Sequence, residues 1–173
     1  MRVVAGELRG RRIEAPAGKK TRPTTDKARE ATFNALGSMD VVVGAHVVDA
    51  FAGSGALGIE ALSRGARHCT FIESDRSALE VLRRNLASLG LESRSTVLRG
   101  DATVLIAQVD GATFVLADPP YEFADWSSLL GRVTADLVVA ESDRPLGDGL
   151  TGWEAVRVKR YGRAFVTFLK RLA

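Results

Sequence analysis

The sequence predicts an α/β fold with a doubly wound, mostly parallel β-sheet. From residue 45 onward, short apolar segments typical of buried strands alternate with segments whose apolar residues recur at helical spacing. The 173 residues are 46% hydrophobic and 26% charged, which predicts one domain of ordinary size with a buried core. In such sheets ligands bind at the carboxyl ends of the strands, so the functional residues should lie there.

Residues 1–24 are predicted to form a basic hairpin and loop that extend a main domain covering residues 25–173. The two extended segments of the hairpin are 2–5 and 12–14. Between them, Gly6 and Gly10 suit turns. The stretch 16–23 is rich in Gly, Lys and Pro and should therefore be a loop.

The main domain should begin with a helix that Thr24 or Thr25 caps and Gly37 ends. The predicted strands are 47–51, 69–73, 95–98, 113–117, 137–140, 153–159 and 164–169. The predicted helices between them are 55–63, 78–89, 102–108 and 127–133. A tight turn at Tyr161 and Gly162 joins the last two strands without a helix, so the chain should close with an antiparallel strand at one edge.

The formal net charge of +3 is unevenly distributed along the chain. Residues 1–30 carry nine Lys or Arg against four acids, residues 151–173 carry six against one, and each segment is therefore +5. The middle of the chain is then −7. This distribution favours a polyanion at the two ends and a small cationic ligand in the middle, although most such charges in proteins simply face water.

Composition also narrows the class of protein. Cys69 is the one cysteine, which leaves no internal disulfide and favours the cytoplasm. His46 and His68 are the two histidines and there is no cysteine cluster, so no metal site is expected. No segment approaches the roughly 20 apolar residues that a membrane-spanning helix needs, so no membrane partner is expected.

A glycine-rich loop follows the first predicted strand. The six residues from Gly53 to Gly58 match the G-x-G-x-x-G fingerprint of dinucleotide-binding sites. Glu73 lies 20 residues after Gly53, where such a site places its ribose-binding acid. The motif is weak evidence by itself, but these features alone would indicate an NAD-dependent oxidoreductase.

Acids at successive strand ends favour S-adenosylmethionine over a dinucleotide. Asp49 stands four residues before the first glycine, where a carboxylate can pair with that ligand's ammonium group but would repel a pyrophosphate. Glu73 can accept both ribose hydroxyls, and Asp101 with Ala102 can meet the adenine edge. Each acid could instead cap the helix that follows its strand, and Asp75 is expected to do so.

Asp118, Pro119, Pro120 and Tyr121 follow the fourth strand and are predicted to form the catalytic loop. The prolines remove two N–H donors, so the loop presents acceptors, the Asp118 carboxylate and the Pro119 carbonyl. Two acceptors can hold both hydrogens of an exocyclic base amine and orient its nitrogen for in-line attack on a methyl group. Tyr121 can stack on a flipped base. The alternative is a proline-stiffened turn that only ends a strand.

The chain resembles the bacterial RsmD family over essentially its whole length. The Asp-Pro-Pro-Tyr loop is similar to that of amino-methyltransferases acting on nucleic-acid bases, with a Rossmann-like class I methyltransferase fold. The segments that narrow the resemblance are 2–6, 10–13, 21–24, 31–36, 49–58 and 161–162. The resemblance implies methyl transfer from S-adenosylmethionine to the N2 amine of a guanine in 16S ribosomal RNA, guanine 966 in the family's naming, during small-subunit maturation.

The resemblance and the residue patterns together predict three groups of site residues. The cofactor contacts would be Asp49, Phe51, Ala52, Gly53, Ser54, Gly55, Glu73, Asp101 and Ala102. The target-base site would be Asp118, Pro119, Pro120 and Tyr121. The RNA contacts would be Arg9, Arg11, Arg12, Lys20, Arg22, Thr24 and Arg160. The expected partner is 16S rRNA within an assembling or assembled small ribosomal subunit, and the chain is expected to act as a monomer.

Three other functions can be weighed against this one. A DNA adenine or cytosine amino-methyltransferase usually carries a separate target-recognition domain, for which 173 residues leave no room. An NAD-dependent oxidoreductase needs an acid or base for hydride transfer, and the sequence offers no well-placed histidine. A non-catalytic RNA-binding protein would have no need of an intact Asp118 loop.

Overall fold

A computed structural model describes residues 1–17 and 26–173, with seven strands and five α-helices in that part of the chain. The strands are β1 (His46–Asp49), β2 (His68–Glu73), β3 (Ser95–Arg99), β4 (Phe114–Ala117), β5 (Leu137–Ser142), β6 (Trp153–Tyr161) and β7 (Ala164–Arg171). The helices are α1 (Asp26–Ser38), α2 (Ala56–Ser63), α3 (Arg76–Ser88), α4 (Ala102–Leu105) and α5 (Trp126–Arg132). Two 3-10 segments, Glu92–Arg94 and Ile106–Gln108, precede β3 and extend α4.

The strands form one sheet in the order β3-β2-β1-β4-β5-β7-β6. The five strands from β3 to β5 are parallel, whereas β7 runs antiparallel to both β5 and β6. The predicted α/β architecture with a mostly parallel sheet and a closing hairpin is therefore confirmed.

The prediction of an antiparallel strand at the edge is wrong. The antiparallel strand β7 lies inside the sheet, and β6 forms the edge. The reason lies in the two side-chain patterns: β7 has four consecutive buried residues, which suits a strand with neighbours on both sides, whereas β6 is mostly exposed and basic.

The parallel strands bring the predicted acids to one side of the sheet, here called the carboxyl edge. β1 ends at Asp49, β2 ends at Glu73, and Asp118 follows the last residue of β4. α2 leads from this edge toward the start of β2, so its last residue, Ser63, lies toward the opposite side, here called the amino edge.

The core lies on both faces of the sheet, because successive strand residues point to opposite sides. Val47 belongs to a cluster with α1, α2 and α3, whereas Val48 belongs to a second cluster with α4 and α5. Val3 and Ile13 are 2% exposed and belong to the first cluster, so the N-terminal hairpin packs into the core of the main sheet.

The N-terminal hairpin is shorter than predicted, with one bridge between Arg2 and Arg12. Its turn packs against the end of α2, where a Cβ on Gly6 would come within 2.0 Å of the Ser63 carbonyl oxygen. The amide of Glu7 donates to that oxygen at 2.9 Å. This close approach explains why the turn needs a glycine at position 6, where φ is +86°.

Several predicted boundaries differ by one or two residues. β1 ends at Asp49 rather than at residue 51, because the chain turns into the glycine loop at Ala50. α1 runs through Gly37 to Ser38, and Asp40 takes the left-handed conformation at φ 56° that ends it. The β6–β7 turn is made by residues 162–163, one residue later than predicted. The predicted caps Thr24 and Thr25 and most of the predicted loop lie outside the described residues.

Candidate cofactor and target-base site

The glycine loop joins β1 to α2 and depends on glycine at three positions for two reasons. Gly53 and Gly55 have φ values of 56° and 89°, a region that residues with a Cβ rarely adopt. Gly58 lies inside α2, where a Cβ would come within 2.4 Å of the Phe71 ring and 2.7 Å of the Cys69 sulfur. The first two glycines therefore shape the loop, whereas Gly58 lets α2 pack closely on β2.

Asp49 is a buried carboxylate, 1% exposed, at the base of this loop. One carboxylate oxygen accepts a hydrogen bond of 2.9 Å from the amide of Gly58. The other oxygen, Oδ1, is buried and has no hydrogen-bond partner in the described part of the chain. Burial raises the pKa of Asp49 to about 7; the Gly58 amide opposes that shift, and the nearby charge of Glu73 adds to it. A cationic ligand group would relieve both the burial cost and the repulsion.

Glu73 joins the glycine loop to the end of β2. One of its carboxylate oxygens accepts the amide of Gly53 at 2.7 Å, and the other accepts the amide of Asp75 at 2.9 Å. Each carboxylate oxygen has two acceptor positions, so Glu73 can accept further hydrogen bonds from hydroxyl groups. The residue is half-buried, with access to the cavity beside it.

A cavity of about 420 Å³ opens at the carboxyl edge beside Glu73. Five predicted site residues line it: Phe51, Glu73, Asp101, Ala102 and Pro120. The lining residues that the sequence argument did not assign are Ala50, Ile72, Ser74, Gly100, Thr103, Phe123 and Asp125. The walls are therefore both apolar and acidic, which suits a ligand with an aromatic base and hydroxyl groups.

The remaining predicted cofactor residues lie next to the cavity rather than in its lining. The amide of Gly53 donates a hydrogen bond to Glu73, which lines the cavity. The backbone of Ser54 is fixed by Asn85, whose buried side-chain amide donates a hydrogen bond to the carbonyl oxygen of Ser54 at 2.9 Å. The same Asn85 group donates to the carbonyl oxygen of Glu14 at 3.0 Å, which links the glycine loop to the N-terminal segment.

Asp101 caps the helix α4, which was the alternative to a cofactor-binding role, and it also lines the cavity. Its carboxylate accepts hydrogen bonds from the amide and the hydroxyl of Thr103 at the start of α4. Asp75 caps α3 as predicted, since its side chain accepts the amide of Ala78 at 2.9 Å. One side chain can cap a helix and face a ligand, so the two interpretations of Asp101 do not exclude each other.

The predicted catalytic loop folds back toward the glycine loop. The amide of Phe123 donates to the carbonyl oxygen of Pro120 at 2.9 Å, which closes a turn. Asp118 is half-buried at the end of β4, and Tyr121 is 42% exposed. Pro120 is the member of the loop that lines the cavity.

An aromatic contact that the sequence argument missed connects the two loops. The ring centroids of Phe51 and Phe123 lie 5.2 Å apart, and Phe123 also packs edge-on against Trp126 at 5.1 Å. The signal for Phe123 was its position between Tyr121 and Trp126, which together make three aromatic residues within six positions. The contact places the cavity and the Asp118 loop side by side.

The interpretation of the loop as a dinucleotide-binding site conflicts with the hydrogen bonds that the backbone amides of the loop make. In a dinucleotide site, amides at the start of the helix bind the pyrophosphate. Here the amide of Gly58 donates to Asp49 and the amide of Gly53 donates to Glu73. Two loop amides are therefore already bound to carboxylates, and a pyrophosphate would meet those negative charges.

Those predicted RNA contacts that the structure describes lie at opposite edges of the sheet. Arg9 lies in the hairpin turn that packs on Ser63, and Arg11 donates to the carbonyl oxygen of Ser88 at the end of α3, so both lie toward the amino edge. Arg12 is exposed beside the bridge to Arg2. Arg160 pairs with Phe165, which pairs with the last residue of β5, so it lies at the carboxyl edge. Lys20, Arg22 and Thr24 lie outside the described residues.

Within residues 1–17 and 26–173, no group of three or more His, Cys, Asp or Glu is arranged to hold a metal ion. Burial raises the pKa of the Cys69 thiol above its usual value, which argues against a nucleophilic role for it. In the same part of the chain, no helix is long and apolar enough to cross a membrane.

Residues 1–170 match a family model described as Conserved hypothetical protein 95. YlbH of Bacillus subtilis, provisionally named an rRNA methyltransferase, is 36% identical over 99% of both chains. Ribosomal RNA small subunit methyltransferase D of Escherichia coli is 41% identical over 121 residues, which span 70% of this chain and 60% of that protein.

Solved structures agree with this relationship. The Escherichia coli protein yhhF, provisionally named a methyltransferase, superimposes with a TM-score of 0.85 at 35% identity, covering 100% of this chain and 98% of that one. An RNA-methyltransferase candidate from Pyrococcus horikoshii has a TM-score of 0.75 over 93% of both chains, and at 17% identity it supports the fold alone. The sheet is the Rossmann-like sheet of class I methyltransferases, and the chain belongs to the RsmD family of methyltransferases.

Proposed function

We propose that this chain transfers a methyl group from S-adenosylmethionine to the N2 amine of a guanine in 16S rRNA during small-subunit maturation in the cytoplasm. The observations that carry the proposal are that the Asp118 loop lies beside a cavity and that the adjoining glycine loop holds at its base the buried carboxylate of Asp49, one oxygen of which has no hydrogen-bond partner in the described residues. The identity of 41% to an Escherichia coli protein named as a small-subunit rRNA methyltransferase supports the choice of rRNA.

The residues around the cavity fit S-adenosylmethionine, which supplies an activated methyl group when bound. The buried Oδ1 of Asp49 has an unused acceptor position for an ammonium group. Glu73 has acceptor capacity for ribose hydroxyls, and Phe51 and Ala102 offer apolar lining for a base. Asp101 would meet the polar edge of that base. Ala52, Gly53, Ser54 and Gly55 form the loop that closes this end of the site.

The target base would be held by the catalytic loop. The carboxylate of Asp118 and the carbonyl of Pro119 would accept the two hydrogens of the guanine amine and turn its nitrogen toward the methyl group. Pro120 stiffens the loop, and the ring of Tyr121, which is 42% exposed, would stack on a flipped base. After transfer, the positively charged amine would release one proton to water, so no strong base is required beforehand.

The RNA would be bound by cations outside the catalytic site. The proposal retains Arg9, Arg11, Arg12, Lys20, Arg22, Thr24 and Arg160 as RNA contacts. Arg9 and Arg11 lie toward one edge of the sheet and Arg160 lies at the other, which favours a large folded substrate over a short oligonucleotide, because α3 alone spans about 20 Å from one edge toward the other. A substrate of that size agrees with 16S rRNA in a small ribosomal subunit, bound by one monomer.

Two measurements test the proposal. Calorimetry should show that S-adenosylmethionine and its demethylated product bind, whereas NADH does not; binding of NADH alone would overturn the cofactor assignment. Mass spectrometry of 16S rRNA from a strain that lacks the gene should show the loss of one N2-methylguanine. The wild-type gene should restore it, and the Asp118→Ala gene should not. An unchanged methylation pattern would overturn the substrate assignment.

A further inference from the structure

The turn between β6 and β7 lies at the same edge of the sheet as the catalytic loop. Phe165 at the start of β7 pairs with Ser142 at the end of β5, so the turn projects from the carboxyl edge. Between β4, which leads to Asp118, and β6 lie β5 and β7. Three strand spacings of about 4.8 Å therefore separate β4 from β6 by roughly 14 Å.

Four basic residues cluster on the segment that leads into this turn, and we call them the basic edge: Arg157, Lys159, Arg160 and Arg163. All four are exposed, and the segment 157–163 contains no acid. None of the four forms an ion pair within the described residues. Since β6 is the last strand of the sheet and all four residues are exposed, their charges face solvent.

Aromatic rings and a backbone group orient two of these cations. The guanidinium of Arg157 lies 5.9 Å from the ring centroid of Phe168, and that of Arg160 lies 5.5 Å from that of Phe165. The Nε of Arg160 donates to the carbonyl oxygen of Gly162 at 2.9 Å. Holding an arginine this way reduces the conformational freedom that it loses when an anion binds.

The catalytic edge itself repels a polyanion. Glu73, Asp101 and Asp125 line the cavity, and Asp118 and Glu122 belong to the neighbouring loop. A target base can enter such a site, but the phosphates on either side of it are repelled and need cations elsewhere. Lys159, Arg160 and Arg163 provide cations at the same edge of the sheet, and Arg157 lies nearer the middle of β6. Arg9 and Arg11 lie toward the opposite edge.

We propose that the basic edge binds phosphates of the RNA strand that carries the target base and holds that strand across the carboxyl edge. The inference rests on the proposed function and extends it to Arg157, Lys159 and Arg163. The surface accepts RNA backbone through charge, so it adds affinity without reading sequence.

The test compares two double variants of the full chain. Lys159→Gln/Arg163→Gln removes two basic-edge charges that make no packing contact with an aromatic ring. Arg67→Gln/Lys170→Gln removes two exposed charges at the amino edge and is the matched control. Binding to deproteinised 16S rRNA is measured against salt concentration, together with the affinity for S-adenosylmethionine and thermal stability.

Loss of two phosphate contacts should reduce the salt dependence of log Kd by about 1.4, which corresponds to roughly 25-fold weaker RNA binding near 0.1 M salt. Cofactor affinity and stability should not change, and the control should bind RNA as the wild type does. An unaltered salt dependence, or an equal loss in the control, would overturn the inference. Weaker binding to the assembled subunit alone would also overturn it, because the surface would then contact a ribosomal protein. The proposed function fails separately, if the wild-type chain restores no methylguanine.

Discussion

The amide of Gly53 donates a hydrogen bond of 2.7 Å to the carboxylate of Glu73. This bond joins the glycine loop after β1 to the end of the neighbouring strand β2. The second oxygen of the carboxylate accepts the amide of Asp75, the cap residue of α3. One side chain therefore fixes the loop, the strand end and the following helix relative to one another, and it does so at the wall of the cavity.

Replacing Glu73 with alanine should weaken cofactor binding at least about tenfold, because two amides lose a charged acceptor and the ligand loses its ribose contact. Calorimetry with S-adenosylmethionine measures the effect. Glu80→Ala is the control, since Glu80 is exposed on α3 and pairs with Arg76 across one helical turn. Equal affinities of the Glu73 variant and the wild type would contradict the assigned role.

Asp49 should make cofactor binding depend on pH. Its pKa of about 7 in the free protein means that the carboxyl group is mostly protonated near pH 6. A bound ammonium group favours the carboxylate, so binding releases a proton below pH 7 and affinity rises with pH. Binding should be about tenfold weaker near pH 6 than well above pH 7. Asp49→Asn should bind weakly with a flat profile, and a variant that kept the wild-type slope would rule Asp49 out.

The raised pKa of Asp49 should also make the stability of the cofactor-free protein depend on pH, but in the opposite direction to cofactor affinity. The pKa of Asp49 is higher in the folded state than the ordinary value of 3.8, so the folded state holds more protons between about pH 4 and pH 7. The contribution of this group to the free energy of unfolding therefore falls as pH rises through that window. Denaturant titrations should show that Asp49→Asn removes this fall, and an identical pH dependence in both proteins would count against the raised pKa.

The sequence predicted those parts of the fold and site that depend on local pattern. Alternating apolar segments and helical spacing indicated the strands and helices, and Asp75 was recognised as a cap from its position after a strand. Pairings between distant segments were not predictable in this way. The insertion of β7 between β5 and β6, and the contact between Phe51 and Phe123, depend on how the chain folds back on itself.

The positions of the basic residues in the fold could not be predicted from local sequence patterns either. Arg9 and Arg160 were grouped together because both belong to basic segments of the sequence. The hairpin packs on Ser63 and β6 pairs with β7, and these contacts place the two arginines at opposite edges of the sheet. Charge counts therefore predicted a polyanion partner in general, and the register of the strands indicates which cations lie near the site.

Asp118→Ala should reduce methyl transfer at least about a hundredfold while leaving cofactor affinity within about twofold, because the partner of Asp118 is the base amine. Single-turnover methylation of 16S rRNA in small subunits measures the first quantity and calorimetry the second. Asp118→Asn keeps one acceptor oxygen and should retain more activity than the alanine variant. Asp110→Ala, an exposed acid away from the cavity, is the control. Near-normal turnover in Asp118→Ala would remove the loop from the mechanism.

Glu60 should decide whether the N-terminal hairpin stays docked on the main domain. Its fully buried carboxylate accepts the amide of Val4 at 2.9 Å and lies 3.8 Å from the buried guanidinium of Arg29. Glu60→Ala leaves the amide of Val4 without its acceptor and removes one of the two carboxylates beside Arg29, which keeps Asp26 at 2.9 Å. The free energy of unfolding should therefore fall by about 1–3 kcal/mol. Urea denaturation measures this loss, and Glu30→Ala, an exposed neighbour of Arg29 on α1, should change stability by less than about 0.5 kcal/mol.

Glu60→Gln separates the hydrogen bond from the charge at this position. Burial raises the pKa of Glu60, whereas the amide of Val4 and the guanidinium groups of Arg64 and Arg29 oppose that shift. A glutamine keeps an acceptor oxygen for the amide of Val4 but removes the buried counter-charge of Arg29, which retains its ion pair with the exposed carboxylate of Asp26. If the hydrogen bond dominates, the glutamine variant should recover most of the stability that alanine loses. If the ion pair dominates, both variants should be destabilised alike, and proteolysis should cut the N-terminal hairpin equally fast in each.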